Sequence, residues 1–374
     1  MFSFERLYQS KKSKARVGRI HTPHGIIDTP SFVAVGTNAA LKALDSKMVD
    51  ALGVQLMFCN TYHLLLHPGA QVVEAAGGLH RFMNRSMPLI TDSGGFQVFS
   101  LMYGGVHDEL KSSGQKKNGN MVLKVTEEGV KFRSYRNGDI LQLTPESTVV
   151  AQKQLGADII IPLDELPPYH IDPVKLERSL HRTHRWEKRS LTEHLKNRNG
   201  QAMYSVVHGG LDRAMRTASA QFLTNLPFDG HAIGGSLGKT KQQMFDMLDY
   251  VVDLLPAEKP NHLLGIADLD SIEGIVMRGI DTFDSSYPTK CARHGLLFTF
   301  SGTQKIEKTI FKTDFGPLEK GCVCYTCQNY TAAYLHHLFK AHEMTGYTLA
   351  TIHNIAHMVE RLKRIREAIL DDRI

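Results

Sequence analysis

Along the chain, short runs that are apolar at almost every position alternate with longer stretches where apolar residues return every three or four positions. The apolar runs are SFVAV (31–35), VQLMFCN (54–60), PLIT (88–91), ADIIIPL (157–163), AMYSVVH (202–208), HAIGG (231–235), HLLGI (262–266) and DTFDS (281–285). Runs apolar on both faces predict strands covered on both sides, as in a parallel sheet wrapped by helices. The helical spacing falls at 46–51, 70–76, 145–154, 172–195, 212–223, 241–255 and 271–278. Eight strands with helices between them predict an α/β fold of the (β/α)8 barrel type. A doubly wound open sheet is the alternative that periodicity separates poorly from it.

Three segments break the rhythm. Residues 10–30 predict a hairpin ahead of the barrel, turning at 23–25. Residues 103–142 predict an insertion after the third strand, with a mobile loop at 111–120 and a hairpin turning at 136–138. Residues 300–374 carry a cysteine cluster and two predicted helices, 331–344 and 352–370. The predicted organisation is a catalytic barrel with its hairpin at 1–300, then a metal-binding subdomain with C-terminal helices at 301–374.

Barrel sites lie at the C-terminal strand ends. Here those ends read Thr91-Asp92-Ser93-Gly94-Gly95-Phe96-Gln97, Asp164-Glu165, His208-Gly209-Gly210, Gly234-Gly235-Ser236 and Asp281-Thr282-Phe283-Asp284. Any one carboxylate could be a helix cap, and any glycine pair a turn. Together they predict a rim of carboxylates, with glycines that let a ligand approach the backbone. Paired carboxylates suit retaining glycosyl transfer, in which one attacks an anomeric carbon and another moves the proton. A carboxylate also accepts paired N–H donors from a nucleobase edge.

Composition sharpens this only a little. The chain has 374 residues, 42% hydrophobic and 22% charged, as in a globular protein. A net charge of +6 leans toward an anionic partner. The N-terminus has no apolar core of a signal peptide and no run approaches a membrane span, so a cytoplasmic, reducing location is expected. In that setting Cys322, Cys324 and Cys327, three of five cysteines, predict a metal site rather than disulfides. His336 and His337 lie nearest in sequence as a fourth ligand, and Cys59 reads as core.

The ordered set TDSGGFQ (91–97), DE (164–165), HGG (208–210), AIGG (232–235), GIDTFDSSYPTK (279–290) and CVCYTC with a later TIH (322–327, 351–353) resembles the bacterial-type tRNA-guanine transglycosylases over nearly the whole chain. The resemblance implies exchange of guanine at the anticodon wobble position of a tRNA with a GUN anticodon for a free 7-deazaguanine base, through a covalent Asp–ribosyl intermediate. It implies Asp284 as nucleophile, in preference to Asp281, and Asp92 as base-binding general acid/base. Asp164 would take the guanine edge, Phe96 would stack on the base, and Gly234 and Gly235 would wall it. Lys290 and Arg293 would grip the tRNA, and His353 would complete a structural Zn²⁺ site with the three cysteines. A homodimer is also implied. An inactive tRNA-binding subunit or a plain barrel glycosidase are the alternatives; retention of Asp92, Asp164 and Asp284 argues against the first.

The chain departs from the family pattern at the pocket. Leu166 stands where Cys is usual, and His208 where Gln is usual. After AIGG the usual L-A-V-G-E is replaced by Ser236-Leu237-Gly238-Lys239, without the Glu. A cationic aminomethyl arm on the base would lose its acidic neighbour there, so queuine is the expected base and 7-aminomethyl-7-deazaguanine the next.

Overall fold

A computed structural model describes residues 2–104, 110 and 121–374. Strands β1 (Ser3–Gln9), β2 (Arg16–Thr22) and β3 (Gly25–Thr29) form an antiparallel sheet. The expected hairpin is β2–β3; β1 is an additional strand beside it. The barrel strands are β4 (Ser31–Val35), β5 (Leu56–Cys59) and β6 (Leu89–Thr91), and then, beyond an insertion, five more. The insertion holds β7 (Val122–Val125), β8 (Val130–Arg133) and β9 (Ile140–Leu143), with the expected turn between β8 and β9. The loop expected at 111–120 lies outside the described residues. The barrel resumes with β10 (Ile159–Ile160), β11 (Ala202–Val207), β12 (Gly230–Ile233), β13 (Asn261–Leu263) and β14 (Thr282–Ser285). These eight close in the order β4-β5-β6-β10-β11-β12-β13-β14, every pair parallel, which settles the barrel against the open sheet. A two-stranded ribbon, β15 (Leu296–Thr299) with β16 (Gly302–Lys305), follows.

The strands alternate between two cores, as a pleated strand must. Val33, Leu56, Phe58, Ile90, Ile159, Tyr204, Val206 and Ala232 fill the barrel interior. Phe32, Ala34, Met57, Cys59, Leu89, Ile160, Met203, Val207, Ile233, Leu263 and Phe283 face the helices. Ile20 and Ile27 of β2 and β3 join the interior core, so the hairpin plugs the N-terminal end. Arg16 locks that plug: its Nε and Nη2 donate to Asp281 at 2.8 and 2.6 Å, and Nη1 and Nη2 also donate to the carbonyls of Ala257 and Lys259. Asp281 is fully buried at the start of β14 and also accepts the Asn261 amide at 2.7 Å. It is thus a structural anchor at the bottom of the barrel.

The helix Pro145–Leu155 opens with a capping box between Thr144 and Ser147, and Pro173–Lys196 and Arg213–Thr224 are capped by Asp172 and Asp212. The last helix, Met344–Leu370, packs its apolar face on the barrel through Ile352, Ile355, Met358, Leu362 and Ile369. A second small core gathers Ala292, Leu297, Ile306, Phe311, Leu335, Leu338 and Leu349 around the cysteines. Among the described residues, no helix is long and apolar enough to cross a membrane.

Candidate active site and metal centre

Phe283 faces the helices, so its neighbours Thr282 and Asp284 face the barrel interior. Asp284 Oδ1 accepts from His262 Nε2 at 3.1 Å and from the Gly265 amide at 2.9 Å. The other ring nitrogen, Nδ1, lies 2.9 Å from Thr282 Oγ1, which also donates to the Asn261 carbonyl. Asp284 Oδ2 has no hydrogen-bond partner among the described residues, and the side chain is only slightly exposed. The carboxylate is therefore oriented through one oxygen and free at the other.

Three strands round the barrel, Asp92 follows β6. Its Oδ1 accepts the Thr61 amide at 2.8 Å, and its Oδ2 accepts from Asn60 Nδ2 at 2.7 Å and Gln97 Nε2 at 2.9 Å. Burial pushes the carboxyl up to about 6, against the pull of these three donors, and the nearby charge of Asp164 adds to the rise. A group poised there exchanges protons near neutral pH.

Asp164 follows β10, four strands from β14 and so directly across the mouth from Asp284. Its Oδ2 is 2.8 Å from His208 Nε2. Gly95 runs against it: a Cβ there would strike the Asp164 carboxylate and backbone carbonyl. Gly94, at φ +96°, turns the chain so that the helix Gly95–Tyr103 starts beside the pocket. Phe96, in its first turn, keeps an open ring face at 47% exposure. Behind the pocket, a Cβ on Gly234 would meet Val206, and one on Gly235, at φ +75°, would meet His208 Nδ1 at 2.8 Å. Asp92 and Phe96, Asp164, His208, and Gly234 and Gly235 thus follow the C-terminal ends of β6, β10, β11 and β12, and Asp284 lies at that end of β14.

Sequence reasoning passed over the supports. Asn60 ends β5 and would have been found by reading all eight strand ends; His262 hides within an apolar run. Arg216 is fully buried and pairs with no carboxylate among the described residues. It donates to the carbonyls of Gly210, Val207 and Ser236 at 2.8, 2.6 and 3.0 Å, tying the two glycine loops together. Burial drives its guanidinium down to about 10. Glu165, next to Asp164, is paired with Arg182 at 2.8 Å.

Lys290 and Arg293 lie on the helix Tyr287–Arg293 just past β14, and neither has a carboxylate partner among the described residues. They are available to a polyanion at the same rim.

The cysteine cluster is brought together as expected. The ligand atoms of Cys322, Cys324, Cys327 and His353 all lie within 4.8 Å of one another. His353 Nδ1 is 3.9, 3.5 and 3.4 Å from the three sulfurs. A tetrahedral ion with Zn–S of about 2.3 Å and Zn–N of about 2.0 Å sets sulfur and nitrogen about 3.5 Å apart. His353 Nε2 donates to the Phe298 carbonyl at 2.7 Å, which leaves Nδ1 for a metal. His336 and His337 lie outside the cluster. Four protein ligands could hold one metal ion. Cys59 is plain core, its thiol pushed up to about 12 by burial.

A parallel barrel with carboxylates and glycine loops at the C-terminal ends of its strands carries the parts that glycosyl transfer uses. The model of the family described as queuine tRNA-ribosyltransferase matches residues 10–374. A queuine tRNA-ribosyltransferase of Protochlamydia amoebophila is 62% identical over 373 residues, covering 100% of this chain and 96% of that protein. Those of Chlamydia trachomatis serovar A and Chlamydia muridarum are 55% and 54% identical over 372 residues, each covering 99% of both chains. The chain belongs to the queuine tRNA-ribosyltransferase family, the tRNA-guanine transglycosylases.

Proposed function

We propose that this enzyme exchanges guanine at the wobble position of GUN-anticodon tRNAs for a free 7-deazaguanine by two displacements at one ribose carbon. Asp284 Oδ2 attacks C1′ while Asp92 gives a proton to the departing guanine. The C1′–N bond breaks and an Asp284–ribosyl ester forms. The incoming base then returns a proton to Asp92, its ring nitrogen bonds C1′, and the ester bond breaks to free Asp284. Asp164 accepts the base's N–H edge, with His208 beside it, and Phe96 covers one ring face. The target nucleotide must leave its stack to reach this depth. Lys290 and Arg293 take backbone phosphates.

The observation that carries this reading is the asymmetric hold on Asp284, one oxygen fixed by His262 and Gly265 and the other left unpaired. The test compares wild type with Asp284→Asn. Labelled guanine should enter tRNA, and a denaturant-resistant protein–tRNA adduct should form without free base, only in the wild type. An adduct formed by Asp284→Asn would remove Asp284 as nucleophile.

Queuine is the favoured base. Beside the glycine wall lies a cleft of about 210 Å³ lined by Pro168, Tyr169, Ile171, Leu176, Leu211 and Ser236. Among the described residues no carboxylate lines it, and Lys239 Nζ stands 4.8 Å over the Tyr169 ring at its edge. Such a cleft suits a bulky cyclopentenediol arm better than a bare aminomethyl group. Use of the aminomethyl base with none of queuine would overturn this preference.

In the C-terminal segment, Cys322, Cys324, Cys327 and His353 would hold Zn²⁺ with no open position, so the ion would stabilise the fold rather than react. The exposed Tyr325 and Tyr334 and the half-buried Tyr330 beside it, with the rings of Tyr330 and Tyr334 stacked at 5.6 Å, favour this side as the contact of a homodimer.

A further inference from the structure

We propose that His24, His80 and Asp158 form a second divalent-metal site, on the barrel face opposite the reaction, that takes a borderline cation such as Zn²⁺, Co²⁺ or Ni²⁺. Their ligand atoms lie within 4.8 Å of one another. Three separate segments supply them: the turn between β2 and β3, the short helix Leu79–Phe82, and the residue entering β10. Two imidazoles and one carboxylate are a ligand set for borderline cations, with coordination positions left over for water.

Asp158 is fully buried, as a lone carboxylate seldom is. Its Oδ2 accepts the Leu89 amide at 2.9 Å, and its Oδ1 lies 2.8 Å from His24 Nδ1. Those contacts alone would make a hydrogen-bonded latch between hairpin and barrel. His80 adds a third group to that pair. It is about nine-tenths buried, and its Nε2 stands 3.2 Å from Asp158 Oδ2, an ion-pair distance off the line of a good hydrogen bond. Its ring lies flat on His24, with centroids 3.5 Å apart and planes 13° from parallel. Nδ1 of His24 and Nε2 of His80 thus sit on the two oxygens of one carboxylate, close enough for a single cation to take all three groups. His24 is 41% exposed, which gives an ion and its waters a way in. An ion there would clip the hairpin plug to β10 and, through the Leu89 amide, to β6.

The full-length protein, already carrying one tightly held metal per chain at its cysteines, is titrated with Co²⁺. The expected result is one further equivalent per chain, with visible d–d absorption but no thiolate-to-cobalt charge-transfer band, and a rise in the thermal midpoint. His24→Ala, a change on an exposed turn, and His80→Gln should each weaken this uptake at least tenfold while guanine exchange continues. Failure of the wild type to take a second equivalent would overturn the proposal. So would a charge-transfer band accounting for all uptake, or variants that bind Co²⁺ as the wild type does.

Discussion

Replacing His262 with Ala should cost turnover and leave tRNA affinity alone. The ring touches the carboxylate proposed as nucleophile and lies away from the surface: it is fully buried, stacks near Phe58 with centroids 6.3 Å apart, and donates to Asp284 Oδ1 at 3.1 Å. A hydrogen bond to a charged group is worth roughly 1.5–3 kcal/mol. Lost wholly from the transition state, that is a factor of about ten to 150 in rate. The Gly265 amide still holds the same oxygen at 2.9 Å, so the lower half of that range is expected. The assay is incorporation of labelled guanine at varied tRNA, with kcat and KM resolved separately. His262→Ala should lower kcat with KM for tRNA little changed. His262→Gln, whose amide can donate from a similar place, should recover much of the loss. An unchanged kcat in His262→Ala, or a loss confined to KM, would refute the idea that this ring orients the nucleophile.

Other expectations follow from the same geometry. Asp92 is held up to about 6, so it is protonated below that pH and ionised above it; release of guanine in a single turnover should slow as pH rises through about 6, and Asp92→Asn should lack that limb. Arg16→Ala leaves Asp281 as a buried, unpaired charge and should cost about 3–5 kcal/mol in urea unfolding, while activity per folded molecule persists. Gly95→Ala sets a Cβ against Asp164 and should raise KM for the free base in steady-state exchange. His353→Ala removes one of four ligands, so metal content measured by elemental analysis should fall and protease should cut the C-terminal segment first.

All eight barrel strands were legible because both of their faces are apolar. The fourth illustrates the limit of that signal. The run at 157–163 predicts seven residues of strand, yet only Ile159–Ile160 pair, because Pro162 has no N–H to give a neighbour and the chain turns toward the pocket. The helices Thr61–Leu66 and Gly95–Tyr103 were missed because they begin inside polar or glycine-rich rim sequence that reads as loop. The last helix starts at Met344, eight residues before the expected 352. Gly346 argues against helix there, yet a Cβ at that position would press on Leu338, so close helix packing overrides propensity. The carboxylates and cysteines stood out as residue types in place. Their supports did not: Arg216 acts through backbone carbonyls, and nothing in its neighbourhood of sequence marks that role.

The plug made by Ile20 and Ile27 continues the packed barrel interior to its lower end, so a ligand can reach the strand ends only from the upper rim. Whatever is cut from the polynucleotide has to back out the way the nucleotide came in, and its replacement has to enter through that same door. On the two-displacement route proposed above, departure and arrival would therefore take turns.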